Sequence, residues 1–170
     1  MRKLVVLALL ISSAITIFAE ELTREEKRFR SQIESYVKEE GYSPYIDTDE
    51  TVTFKYQGDL YWISVDEYKK GFYVFMSTSI SLEDANIKNA LLAADEVQSD
   101  WKFLRIHRSS NKKSFLIRVD GYFTTIAQFK DLFSSWIYIL SEADKEIQEK
   151  CIKMNDNAQS IQRLGIIQAA

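Results

Sequence analysis

The alternation of apolar and polar positions predicts a block of strands near the middle of the chain. Residues 51–80 contain three consecutive runs in which apolar side chains recur at every second position, as in strands with a buried face. Two polar segments, Gln57-Gly58-Asp59 and Lys69-Lys70-Gly71, separate the runs, and a glycine can supply the positive φ that a tight turn requires. The pattern predicts three antiparallel strands joined by two hairpins.

The second and third strands of this block are apolar on both faces. Trp62 and Tyr61 point to opposite sides of the second strand, and in the third strand Tyr73 and Phe75 point away from Val74. A sheet with one solvated face normally carries polar residues on that face. We therefore expect either helices on both faces, which is the commoner arrangement, or an aromatic surface that is left for a partner.

Helical periodicity predicts a helix on each side of this block. The first begins at the capping box Thr23-x-x-Glu26 and ends at Gly41, and Pro44 prevents its continuation. A second helix is predicted over residues 82–99. Its expected buried stripe consists of Ile87, Ala90, Leu91, Ala94 and Val97.

Two more strands and a long helix complete the predicted domain. The strands lie near residues 102–107 and 114–122, where Arg105 or Lys102 can pair with Asp120 across the sheet. Thr125-x-x-Gln128 then caps a helix whose apolar stripe continues to about Met154. Such a helix is roughly 40 Å long, whereas strands span ~17–20 Å. The end of its stripe must pack on the first helix or on a second copy of the chain, as in a homodimer, and both alternatives stay open.

Together these elements predict an α+β fold with a five-stranded antiparallel sheet and the order α-βββ-α-ββ-α. Residues 20–154 form a single domain, because 170 residues with 46% hydrophobic content suffice for one packed core. Residues 155–170 are predicted to be a C-terminal tail that is partly disordered.

The first nineteen residues have the features of a secretory signal peptide. Arg2 and Lys3 precede the apolar block Leu4–Phe18, and the small residues Ala14 and Ala19 offer two alternative cleavage sites. The apolar block has fifteen residues, fewer than the roughly 20 that a membrane-spanning helix needs. We therefore expect an exported protein, periplasmic or extracellular, with no stable membrane span after cleavage.

Charge and cysteine content narrow the range of partners. Residues 1–19 contain two basic and no acidic residues, so their removal leaves 20 basic and 25 acidic side chains and a net charge of −5. Nucleic acid is a poor match for such a chain, because its phosphates require a clustered basic surface. The single cysteine, Cys151, cannot form an intramolecular disulfide, so we expect an inert thiol, with an intermolecular bridge as the alternative.

This sequence lacks the residues that several common catalytic chemistries require. His107 is the single histidine, no nucleotide-binding or hydrolase motif is present, and we predict neither an enzyme nor a cofactor. Chemistry by carboxylates alone, such as that of a glycosidase pair, stays open, because the acidic residues are numerous and the sequence does not give their separations. Asp47, Asp49 and Glu50 stand close together, but a calcium loop needs more oxygen ligands and a glycine at its bend. We interpret this segment as a solvated turn and predict no metal site.

The order of elements resembles the type III secretion chaperone-like fold, and within it the YbjN-like domains that are named as putative sensory transduction regulators. The resemblance is carried by the segments TVTFKYQGDLYWISVDEYKKGFYVFMSTSI, LEDANIKNALLAADEVQSDWKFLRIHR and SFLIRVDGYFTT. It implies a non-enzymatic domain that often dimerises and binds a protein or a peptide.

The sequence therefore favours an exported protein- or peptide-binding domain. Its contact surface is expected on the aromatic strands or on the last helix, and the candidate residues are Tyr61, Trp62, Tyr73, Phe75 and Trp136. The alternative is a small-ligand or carbohydrate-binding module that uses the four strand aromatics as a stacking platform.

Overall fold

The structure, a computed structural model, describes residues 22–81, 87–109 and 114–168, with side chains up to residue 157 in the last range. The predicted signal peptide lies outside these ranges, within which no helix is long and apolar enough to cross a bilayer. The described elements form an α+β fold in the order α-ββββ-α-ββ-α. They are α1 (Arg24–Glu39), β1 (Tyr45–Ile46), β2 (Val52–Tyr56), β3 (Asp59–Tyr68), β4 (Gly71–Ser81), α2 (Ile87–Asp100), β5 (Leu104–Arg108), β6 (Ser114–Phe123) and α3 (Ile126–Gln168).

The described strands form one antiparallel sheet of six, in the order β1-β2-β3-β4-β6-β5, so the predicted number of five is wrong. The additional strand is β1, which has two residues and pairs with the start of β2. Asp47 organises the bend between them. Its carboxylate accepts hydrogen bonds from the backbone N–H groups of Asp49 and Thr51 and from the hydroxyls of Thr51 and Thr53, at 2.5–3.0 Å. Burial alone would raise the pKa of Asp47, but the bonds from Thr51 and Thr53 outweigh it and lower this pKa.

The two hairpin turns place their positive φ angles differently. Between β2 and β3, Gln57 and Gly58 have φ of 53° and 102°, the pattern of a type I′ turn, and the first predicted turn is confirmed. Between β3 and β4, the second predicted turn is also confirmed, and its positive φ of 57° belongs to Lys69. Gly71 begins β4, where a Cβ would collide with the backbone oxygen of Phe123. Close packing against β6 therefore requires this glycine.

The three helices pack on one face of the sheet. Ile63, Met76 and Val119 lie side by side across β3, β4 and β6, and all three are buried in the same core as the apolar stripes of the helices. Phe29 of α1, for example, stacks on Phe72 of β4 with ring centroids 4.2 Å apart. Within the described segments the other face of the sheet has no helix on it, so the expectation of helices on both faces is wrong for this part of the chain, and a partner for the aromatic face stays a prediction.

Glu26 links the start of α1 to β3. One carboxylate oxygen accepts from the backbone N–H of Thr23 at 2.6 Å, and the Thr23 hydroxyl accepts from the Glu26 N–H, which confirms the predicted capping box. The other oxygen accepts from the backbone N–H of Glu67 at 2.6 Å, where β3 extends beyond its pairing with β2. Because an unpaired strand edge invites association, this contact also protects the sheet. The helix ends before Gly41, whose φ of 91° fits its predicted role.

Helix α3 has 43 residues and continues through Gln168, past the predicted end near Met154. Its first half lies on the sheet and against α1, and the part that follows packs on α2. The sequence analysis predicted the first helix or a second copy of the chain for this contact, and neither prediction included α2. Polar contacts join α3 to α2 and to Trp101, the residue that follows α2. Trp101 Nε1 donates a hydrogen bond to Glu146 at 3.1 Å, Lys150 forms an ion pair with Glu96 at 3.1 Å, and Asn89 donates to Asn155 at 2.8 Å.

Helix α2 buries three of the five residues of its predicted stripe, Ala90, Ala94 and Val97. Ile87 and Leu91 are 44% and 43% exposed, so their predicted burial is wrong. The buried residues are Ala90, Ala93, Ala94 and Val97. Small alanine side chains allow α2 to lie close to α3.

Candidate functional site

The candidate site is the sheet face opposite the helices, here called the open face. Strand register arranges its side chains in rows across β3, β4 and β6. One row consists of Asp66, Tyr73 and Tyr122, and the next consists of Ser64, Phe75 and Asp120. The remaining members of the open face in the central strands and β5 are Leu60, Trp62, Tyr68, Ser77, Ser79, Ser81, Arg105, His107, Ser114, Leu116 and Arg118.

Three tyrosines form a cluster at one end of the open face. Tyr73 lies 5.4 Å from Tyr68 and 5.5 Å from Tyr122 between ring centroids, and the Tyr122 hydroxyl donates to the backbone oxygen of Tyr68 at 3.3 Å. Tyr68 is 46% exposed, Tyr73 37% and Tyr122 44%. Their mutual contacts hold the rings in place while their outer surfaces stay accessible, which favours binding without a large loss of side-chain entropy.

A charged group borders the tyrosine cluster. The Arg118 guanidinium lies 4.7 Å from the ring centroid of Phe75 and 3.9 Å from Asp120. Arg105 also approaches Asp120, at 3.1 Å, so the cross-strand pair expected from the sequence is present. The Arg105 side chain is largely exposed, and such a surface pair contributes only about 0–1 kcal/mol to stability.

Two titratable side chains on the open face have shifted pKa values. Burial, followed by the positive charges of Arg118 and Arg105, lowers the pKa of His107, so its imidazole is neutral at pH 7. Burial and then the nearby charge of Glu26 raise the pKa of Asp66, against the opposing effect of Arg118. The face therefore combines neutral and charged hydrogen-bonding groups with aromatic rings.

The predicted binding residues separate into two groups. Trp62, Tyr73 and Phe75 lie on the open face, as their alternation indicates. Tyr61 is 1% exposed beneath the helices, because successive strand residues point to opposite faces. Trp136 is 6% exposed and packs against aromatic rings of the core, so neither Tyr61 nor Trp136 offers a ring at the surface.

Sequence reasoning missed Tyr68 and Tyr122, which complete the cluster. Tyr68 continues the period-two alternation of Trp62 along β3, so extending that pattern to the turn would have identified it. Tyr122 was assigned to a strand, but its position beside Tyr73 depends on the pairing of β4 with β6. That pairing skips over α2 and cannot be read from local periodicity.

Outside the open face, the described residues give few indications of chemistry. Within them, no group of three or more histidine, cysteine, aspartate and glutamate side chains is placed to hold a metal ion. Cys151 is half-buried on α3, and Asn155 lies 3.9 Å from its sulfur. Comparison with protein-family models, curated proteins and solved structures found no match to this chain. The resemblance to YbjN-like domains therefore stays a prediction from the order of elements.

Proposed function

We propose that this chain is an exported domain that binds a protein or a peptide through its open face and catalyses no reaction. The observation that carries the proposal is the partly exposed tyrosine cluster on a sheet face that has no helix on it in the described segments. Exposed aromatic groups of this kind commonly mark interaction surfaces, because they leave water when a partner covers them.

The composition of the open face supports a protein or peptide as the partner. Tyrosine and tryptophan provide rigid contact area, and small serine side chains provide adaptable hydrogen bonds, a combination that is typical of protein-binding surfaces. On the open face, Ser64 and Ser77 are interspersed with the rings of Trp62, Tyr73 and Phe75. Arginine, here Arg118, is also enriched at protein interfaces.

Export and the absence of catalysis rest on the sequence. The signal-peptide pattern of residues 1–19 supports a periplasmic or extracellular location. The resemblance to YbjN-like domains supports a binding role and a homodimer.

A carbohydrate-binding module is the alternative, and one observation favours it. The rings of Tyr73 and Phe75 are almost parallel, at 12°, with centroids 6.5 Å apart, as in a platform for a flat ligand. However, the Arg118 guanidinium lies over the Phe75 ring. A sugar would have to displace it or bind to Tyr73 alone, so we favour the protein-binding role.

A pull-down with matched variants tests the proposal. Immobilised wild-type chain, a Tyr73→Ser/Tyr122→Ser variant and a Leu132→Ser variant are each incubated with envelope and secreted fractions of the native organism. Leu132 is 43% exposed on α3 and serves as the control, since it lies on the helix layer. We expect a partner that is retained by the wild type and by Leu132→Ser but lost from the double variant.

Two outcomes would contradict the proposal. Equal recovery of every bound protein by all three baits would show that the open face is not the contact surface. Binding of soluble oligosaccharides by the wild type, lost in the Tyr73→Ser/Tyr122→Ser variant with no protein partner recovered, would favour the carbohydrate alternative. Circular dichroism of each variant checks that the fold is retained.

A further inference from the structure

A second candidate site lies away from the open face, between the turn that joins β2 to β3 and one side of α3. It is a pocket of about 470 Å³, within the range of 300–1,000 Å³ that is typical of small-molecule sites. Tyr56, Gln57 and Asp59 form its wall on the sheet side. The wall on the α3 side includes Tyr138, Ser141, Glu142, Asp144, Lys145 and Gln148.

The charge of the pocket favours a cation. Four carboxylates, those of Asp59, Glu142, Asp144 and Glu149, line it together with one ammonium group, that of Lys145. A concave surface with one dominant sign of charge concentrates ligands of the opposite sign. An anion would meet net repulsion in the same place.

Asp144 distinguishes this pocket from an ordinary acidic surface. The residue is 7% exposed although it carries a carboxylate, and Gln148 Nε2 donates a hydrogen bond to its Oδ1 at 2.7 Å. Burial, reinforced by the charge of Asp59, raises the pKa of Asp144 despite the hydrogen bond from Gln148. Because burial makes this carboxylate costly to ionise, a cationic ligand beside it would reduce that cost.

Aromatic rings border the carboxylates. Tyr56 packs edge-on against the buried Tyr61, with centroids 5.9 Å apart, and its hydroxyl accepts a hydrogen bond from Gln57 at 3.1 Å. Tyr138 on α3 is 61% exposed and lines the same pocket. Aromatic rings beside carboxylates are the combination that recognises organic cations, because the ring faces carry negative potential.

We propose that this pocket binds an organic cation, an alkylammonium or alkylguanidinium group, with Asp144 and Asp59 as counter-ions and Tyr56 and Tyr138 as aromatic walls. The group can belong to a free amine or to a lysine or arginine side chain of a peptide. An inorganic metal ion fits less well, since the described residues provide no cluster of three ligating side chains. The proposal does not depend on the open face.

Titration of the purified full-length chain, followed by NMR of backbone amides, tests the proposal. The small-molecule probes are the cations n-butylguanidinium and n-butylammonium, with the neutral n-butylurea as their control. The peptide probe is a blocked Ala-Arg-Ala tripeptide, with blocked Ala-Gln-Ala as its control. We expect saturable shifts centred on residues 138–152 for the cations and for the arginine peptide. A tripeptide that binds more tightly than n-butylguanidinium identifies a peptide side chain as the source, and the reverse order identifies a free amine or guanidine.

Matched variants assign the binding to the pocket. Asp144→Asn should raise the dissociation constant at least about fivefold, and Lys145→Gln should lower it, since a competing cation is removed. Asp131→Asn, on the same helix but outside the pocket, should change it less than about twofold. Equal binding of n-butylurea, equal effects of Asp144→Asn and Asp131→Asn, or no saturable shift with either cation would overturn the proposal.

Discussion

Replacement of Glu26 by alanine tests whether one side chain holds α1 and β3 together. Glu26 is only 9% exposed, and its two oxygens accept backbone N–H groups of Thr23 and Glu67, both at 2.6 Å. Alanine removes both acceptors and leaves two donors without their partner. The variant therefore perturbs the helix cap and the strand edge at the same time.

The structure allows a rough magnitude for this effect. A hydrogen bond to a charged group contributes about 1.5–3 kcal/mol, and loss of a helix cap costs about 0.5–2 kcal/mol. Water can reach part of the site after truncation, and removal of the Glu26 charge relieves its repulsion of Asp66. We therefore expect a net loss of about 2 kcal/mol in the free energy of unfolding, which for a chain of this length lowers Tm by about 4–8 °C.

The assay is urea denaturation, followed by circular dichroism and tryptophan fluorescence. Glu25→Ala is the matched control, because Glu25 is an acid in the same helical turn whose pairing with Arg28 at 3.8 Å is exposed. We expect this control to lose about 0.5 kcal/mol or less. Hydrogen exchange should also accelerate at the Glu67 amide in Glu26→Ala. If Glu26→Ala is as stable as Glu25→Ala, the assigned role of Glu26 is refuted.

Four further predictions follow from the described contacts. Lys69→Gly should raise the free energy of unfolding by about 0.5–1 kcal/mol in urea denaturation, because Lys69 has a positive φ that glycine adopts without strain. Lys70→Gly should not raise this free energy, and equal effects of the two substitutions would contradict this account. Gly71→Ala should lower the same free energy by about 1–3 kcal/mol, because its methyl group would collide with the backbone of β6, and an unchanged urea midpoint would contradict this. Asp144→Asn should be more stable than the wild type at pH 7 in thermal unfolding, because burial raises the pKa of Asp144 and its contribution to folding falls as pH rises above the ordinary value of 3.8. The difference should vanish below that pH, and a difference that does not change with pH would contradict this account. Sedimentation at micromolar concentration should show a homodimer, and a monomer at all concentrations would contradict the dimer expected from the resemblance.

The two proposed surfaces make different demands on the chain. The open face relies on rings that support one another, so it needs little rearrangement on binding. The pocket beside α3 keeps a carboxylate where burial disfavours its charge. Such a cost is common at functional sites, where stability is given up for binding.

The sequence by itself determined the elements that depend on local physics. The capping box at Thr23 and Glu26, the end of α1 before Gly41 and the turn at Gln57-Gly58 each arise from residues a few positions apart. The faces of Trp62 and Tyr61 followed from alternation alone, since the side-chain period of a strand is two. These signals sufficed for the α+β class.

The tertiary structure decided every feature that depends on residues distant in sequence. The pairing of β4 with β6 places Tyr122 beside Tyr73, and the packing of α2 against α3 buries Ala93 while Leu91 stays exposed. The short strand β1 and the pocket around Asp144 likewise join segments whose contact no local pattern reports. The physical reason is that periodicity fixes which face of an element is apolar, whereas the packing of whole elements fixes what that face meets.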